Sequence, residues 1–66
     1  MDKEIINAAM KRVDFDFNEI LYFLKIAKKK NDLNSLYYSV KQIEENCLYI
    51  KIYCNAILYE LEKGNF

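Results

Sequence analysis

Apolar residues recur along the chain at alternating intervals of four and three residues, in two separate stretches. The first stretch contains Ile6, Met10, Val13, Phe17, Ile20, Leu24 and Ala27, and the second contains Leu36, Val40, Ile43, Cys47, Ile50, Cys54, Ile57 and Leu61. This spacing is the heptad repeat of α-helices that pack along one stripe. The pattern therefore predicts an all-α protein built from two long helices.

Polar residues at the ends of the two stretches predict where each helix begins and ends. The predicted helices span about residues 2–30 and 33–63. Asp2 and Asp32 have the side chains that N-caps require, and Gly64 is a common residue just beyond a helix end. Because the connection between the helices is very short, we expect them to fold back as an antiparallel hairpin. In that hairpin the two heptad stripes are expected to face each other.

The middle of the first helix carries a signal that competes with a continuous helix. Asp14, Phe15, Asp16 and Phe17 alternate between polar and apolar, and Asp16 followed by Glu19 resembles a capping box. The alternative fold is a kinked three-helix bundle with a break near Asp14–Asp16. The heptad pattern continues through these residues in register, which favours one continuous helix.

Each predicted helix also carries apolar residues on the side away from its heptad stripe. A helix that is apolar on opposite faces is normally covered on both. The residues predicted to form this partner or oligomer interface are Phe15, Tyr22, Ile26, Tyr38, Leu48, Tyr49, Ile52 and Tyr59. We expect them either to complete a homodimeric four-helix bundle or to dock another protein.

Length and composition favour association over a monomer. The 66 residues allow one domain, and a domain of this size needs disulfides, a metal or oligomerisation for stability. Histidine is absent, and Cys47 and Cys54 are the only cysteines. Two helical turns separate these cysteines, too far for a disulfide between them within one helix, so we expect both to be small core residues. Oligomerisation, most simply a homodimer, is then the expected source of stability.

The residue types needed for catalysis do not form a recognisable set. The chain lacks histidine, a glycine-rich loop and any nucleophile motif. Its central carboxylates are expected to lie on solvated faces or in helix salt bridges, and they are Asp14, Asp16, Glu19, Glu44 and Glu45. The sequence thus predicts no catalytic residue, no cofactor and no metal site, and a protein that is not an enzyme.

One cluster of lysines is the candidate for contact with phosphate groups. Lys25, Lys28, Lys29 and Lys30 lie at the end of the first predicted helix, where the negative end of the helix dipole also attracts cations. The formal net charge is zero, so no overall field attracts nucleic acid. An RNA- or DNA-binding regulator that uses this end is therefore the alternative function.

The sequence favours a small regulatory protein that works by binding. The most apolar stretch, residues 47–61, is interrupted by Lys51, Asn55 and Glu60, so we expect a cytoplasmic protein without membrane contact. The main hypothesis is a non-enzymatic adaptor or inhibitor that occupies a surface of another protein. Such modules are common, by analogy, among regulators encoded by phages and mobile elements. A structural subunit that self-assembles into larger particles is a further alternative.

Overall fold

The computed structural model describes residues 2–29 and 31–64 and contains two α-helices. Helix α1 spans Lys3–Lys29 and helix α2 spans Leu33–Lys63. They pack against each other as an antiparallel hairpin 50 Å long. The predicted all-α hairpin is confirmed. Helix α1 continues without interruption through Asp14–Asp16, so the alternative with a third helix is wrong.

Both helices begin at an aspartate that acts as an N-cap. The Oδ1 atom of Asp2 accepts hydrogen bonds from the backbone N–H groups of Glu4, at 2.9 Å, and Ile5, at 3.3 Å. The Oδ1 atom of Asp32 accepts one from the backbone N–H of Ser35, at 3.0 Å. These bonds satisfy N–H groups that have no partner within the first helical turn, so the two caps predicted from the sequence are confirmed.

A side chain near the end of α2 forms a hydrogen bond with the backbone at the beginning of α1. Glu60 is buried, and its Oε1 accepts a hydrogen bond of 3.1 Å from the backbone N–H of Asp2. Its Oε2 lies 3.4 Å from Nζ of Lys63. Helix α2 then ends at Gly64, whose N–H donates to the carbonyl of Leu61 at 3.0 Å. The glycine has a φ of −76°, so it ends the helix without a left-handed conformation.

The two helices meet along residues that recur every seven positions, which we call the contact line. It consists of Ala9, Asp16 and Phe23 in α1 and Ser39, Asn46, Tyr53 and Glu60 in α2, all buried or half-buried. Ala9 and Ser39 have the smallest side chains on this line, and the size of the side chains at such contacts sets the distance between helix axes. The expectation that the two heptad stripes face each other within the hairpin is met in part, because eight of their fifteen residues are half-buried beside the contact line and the other seven are exposed. Each helix is rotated so that its stripe lies beside the contact line.

Candidate interaction surfaces

The two heptad stripes together form one long side of the hairpin, which we call the heptad face. On both helices, stripe residues lie three positions before and one position after a contact-line residue, as Ile6 and Met10 do around Ala9. Two antiparallel helices are related by an approximate twofold axis perpendicular to the plane that contains both helix axes. Residues with the same offset from the contact line therefore lie on the same side of the hairpin in both helices. The stripes thus form a continuous apolar surface.

This heptad face is incompletely covered within the hairpin. Its half-buried members flank the contact line, whereas the remainder are exposed: Met10, Phe17, Leu24, Leu36, Val40, Cys47 and Cys54. An open apolar hollow of about 520 Å³ at one end is lined by Leu33, Asn34, Leu36, Tyr37 and Val40. The prediction that both cysteines are buried in the core of the hairpin is wrong, because rotation of α2 brings them to this open surface.

The hairpin as a whole encloses very little apolar surface. Among the described residues, Ala9 is the one buried hydrophobic side chain, at 6% exposure. Seventeen large apolar residues in the same part of the chain are exposed. Burial of apolar area is the main favourable contribution to folding, and a two-helix hairpin alone supplies little of it here.

The side opposite the heptad face carries the residues predicted from the sequence as the partner interface. We call it the tyrosine face, and it consists of Phe15, Tyr22, Ile26, Tyr38, Leu48, Tyr49, Ile52 and Tyr59. Ile26 is half-buried, and the other seven side chains are exposed. The structure thus places these residues along one side of the molecule, with Leu48 at the outer edge.

A single arginine connects the two helices beneath the tyrosine face. The Nε atom of Arg12 donates a hydrogen bond of 3.2 Å to Oη of Tyr53. Its guanidinium also lies 5.5 Å from the centroid of the Tyr53 ring and 5.8 Å from that of Phe15. At these distances the cation is attracted to both rings. This contact could not be predicted from the sequence, because the two residues are 41 positions apart.

An aromatic contact joins the helices nearer the loop. The ring centroids of Phe23 and Tyr38 are 6.0 Å apart, with an angle of 76° between the ring planes. Phe23 makes a second edge-to-face contact with Tyr22, at 5.2 Å. Such perpendicular geometry is favourable for aromatic pairs. These contacts orient two of the predicted interface tyrosines at the edge of the tyrosine face.

Several polar side chains are buried on the contact line. Asp16 and Ser39 are 2% and 0% exposed, and Oδ2 of Asp16 and Oγ of Ser39 have no hydrogen-bond partner. Asn46 is buried too, and its Nδ2 donates to the carbonyl of Gln42 at 2.9 Å. The expectation that Asp16 lies on a solvated face is wrong. Asp16 follows Ala9 by seven residues, and this spacing is the feature of the sequence that could have indicated its place on the contact line.

The other central carboxylates fit the expected surface positions more closely. Asp14, Glu44 and Glu45 are exposed, and Glu19 is half-buried. Glu44 forms an ion pair with Lys41 at 3.3 Å, one turn away on the same helix. An exposed pair of this kind contributes little to stability.

The predicted phosphate-contact lysines are grouped near one end of the hairpin. Lys25, Lys28 and Lys29 are exposed, and the ion pairs found within residues 2–29 and 31–64 do not involve them. Lys30, the fourth member of the group, lies outside the described residues. The three described ammonium groups are thus accessible for contact with an anion.

Comparisons with protein-family models, with curated proteins and with solved structures find no match to this chain. Across the described residues, neither helix combines the length and apolar character needed to cross a membrane. Within the same residues, no three metal-binding side chains of cysteine, aspartate or glutamate come together as a potential site.

Proposed function

We propose that this protein is a non-enzymatic protein–protein interaction module, a small adaptor or inhibitor that occupies a surface of another protein. The observation that carries the proposal is the pair of opposite apolar faces on a hairpin that encloses a single apolar side chain, Ala9, among its described residues. Apolar surface that continues along a whole side of a protein is characteristic of a site that binds another polypeptide. Association is then both the source of stability and the means of action.

Self-association accounts for one of the two faces. Two hairpins that pack together form a four-helix bundle, in which the heptad positions of all four helices point to the centre. The contact line then corresponds to the flanking positions at which neighbouring helices touch. A homodimer of this kind supplies the apolar core that a single hairpin lacks.

The tyrosine face has the character of a surface for a different protein. Tyrosine combines a large apolar ring with a hydroxyl group, and it loses little side-chain entropy when it is buried. Tyr22, Tyr38 and Tyr59 are each about three-fifths exposed, and Arg12 lies among the aromatic rings. Tyrosine and arginine are the residue types that most often contribute strongly to binding at interfaces.

Substitution of Tyr49, Ile52 and Tyr59 by serine tests the partner-binding role. We expect capture of the target from cells of the native host to fall about tenfold or more, since removal of a central aromatic side chain often costs over 1.4 kcal/mol. Helicity measured by circular dichroism should not change, because these three side chains are exposed.

The control is Asn55→Ser, which changes an exposed residue of the same helix. Asn55 belongs to neither the heptad face nor the tyrosine face. Target capture should survive the control substitution. If the triple variant unfolds or dissociates into monomers, the tyrosine face is self-association core, and the adaptor proposal fails.

A second candidate function, binding of RNA or DNA, is supported by the accessible lysines at one end of the hairpin. Substitution of Lys25, Lys28 and Lys29 by glutamate should abolish a salt-dependent shift with nucleic acid, because contacts with phosphates dominate such affinity. The control substitutes Lys3, Lys11 and Lys41 by glutamate, which changes the net charge equally. Equal effects of both triple variants would contradict a specific role for the lysine cluster.

A further inference from the structure

We infer that a second copy of this chain covers the heptad face, with the loops of the two hairpins at opposite ends of the bundle. The twofold axis of this dimer passes beside Phe17 and Cys47. The inference rests on the proposed self-association. It specifies which face of the hairpin is covered, how the two copies are oriented, and which residues form the central layer of the dimer. The tyrosine faces of both copies then point outward, on opposite sides of the bundle.

The area of the heptad face is sufficient for a stable dimer. The hairpin is 50 Å long and 14 Å across between Cα atoms. A face of these dimensions covers about 700 Å², close to the roughly 800 Å² that each partner buries in an interface of standard size. Side chains extend beyond the Cα positions and add to this area.

The order of residues on the heptad face is symmetric about its middle. Met10 and Leu24 lie seven residues before and after Phe17, and Val40 and Cys54 lie seven residues before and after Cys47. A twofold axis beside Phe17 and Cys47 therefore places each of these apolar residues opposite another one. The central layer combines two phenylalanines with two cysteines, so that large side chains fit against small ones.

The outer edge of α2 supports this orientation independently. Four residues follow this edge at intervals of seven: Tyr37, Glu44, Lys51 and Leu58. The twofold axis beside Cys47 brings Glu44 opposite Lys51 of the second copy, and Tyr37 opposite Leu58 of the second copy. Opposite charges meet and exposed apolar residues cover each other, as at the flanking positions of paired helices. Each contact occurs twice in the dimer.

Charge near the loop disfavours the orientation with both loops at the same end. Residues 25–32 contain four lysines and one aspartate. Two copies with their loops together would concentrate these positive charges within one end of the bundle. With the loops at opposite ends, the two clusters are separated by most of the 50 Å length, well beyond the screening length of about 8 Å at physiological salt.

Two single-cysteine variants, Cys54→Ala and Cys47→Ala, test the orientation by cross-linking with a short bis-maleimide. In the proposed dimer the two Cys47 thiols lie beside the axis. The two Cys54 thiols are separated by 14 residues of helix, about 21 Å along the bundle. We expect the variant that keeps Cys47 to give a covalent dimer, and the variant that keeps Cys54 to give about tenfold less or none, because that distance exceeds the linker.

Sedimentation equilibrium and circular dichroism of both variants before labelling separate the possible outcomes. Helical dimers with selective cross-linking at Cys47 support the inference. Helical dimers with equal cross-linking at both positions, or more at Cys54, overturn the orientation and leave the proposed self-association intact. A helical wild-type monomer at micromolar concentration overturns both the inference and the proposed homodimer.

Discussion

Phe17→Glu is expected to dissociate the proposed dimer into monomers and to reduce their helicity. Phe17 is 53% exposed in the single hairpin and lies in the central layer of the proposed dimer. Burying the exposed half of this ring stabilises the dimer by about 1–1.5 kcal/mol per copy, and burying an unpaired carboxylate costs several kcal/mol more. The dissociation constant should therefore rise about a thousandfold or more, since each 1.4 kcal/mol is a factor of ten.

Phe15→Glu provides a closely matched control for this substitution. Phe15 has the same 53% exposure, lies two residues away in the same helix, and belongs to the tyrosine face. We expect the variant to sediment as a dimer, with some loss of stability from the contact between Arg12 and the Phe15 ring. The assignment of the two faces is wrong if Phe15→Glu dissociates the protein and Phe17→Glu does not.

Asp16→Ala is expected to stabilise the protein, although it removes a buried side chain. The carboxylate is 2% exposed, and its Oδ2 has no hydrogen-bond partner, so folding removes it from water without compensation. Replacing such a group should raise the free energy of unfolding by about 1–3 kcal/mol. For a domain of this size the melting temperature should rise by about 4–8 °C per kcal/mol. Thermal and urea unfolding at a fixed protein concentration measure the effect.

The control for this prediction is Asp14→Ala, which removes an exposed aspartate from the same helix. Its effect on stability should be within about 0.5 kcal/mol, as for most surface substitutions. A clear destabilisation by Asp16→Ala would contradict the interpretation that its carboxylate is an uncompensated buried group. In that case the carboxylate contributes favourably to the contact between the helices.

If Asp16→Ala stabilises the protein, the polar residues of the contact line have a role other than stability. Asp16 and Asn46 are costly to bury in an apolar core, so they disfavour rotations of the helices that would place them at its centre. Buried polar residues are known to specify register and oligomeric state in helical assemblies. The same two positions would then keep the heptad face available for the second copy.

The helices themselves were largely predictable from the sequence. The heptad spacing predicted two long helices, and Asp2, Asp32 and Gly64 predicted their ends, because capping depends on neighbouring residues. The misleading signal at Asp14–Asp16 was also local, and the continuous heptad outweighed it correctly. The residues of the tyrosine face were likewise identified from the sequence as one side of each helix, although their role is a prediction.

The sequence by itself determined which residues share a stripe, since helical periodicity depends only on spacing along the chain. Only the tertiary structure decided what each stripe faces. The rotation of a helix about its own axis depends on which side chains pack between the two backbones, and the small residues Ala9 and Ser39 are among the buried residues of the contact line. That rotation leaves Phe17 and Cys47 on an open surface, where the periodicity of one chain cannot specify the protein that covers them.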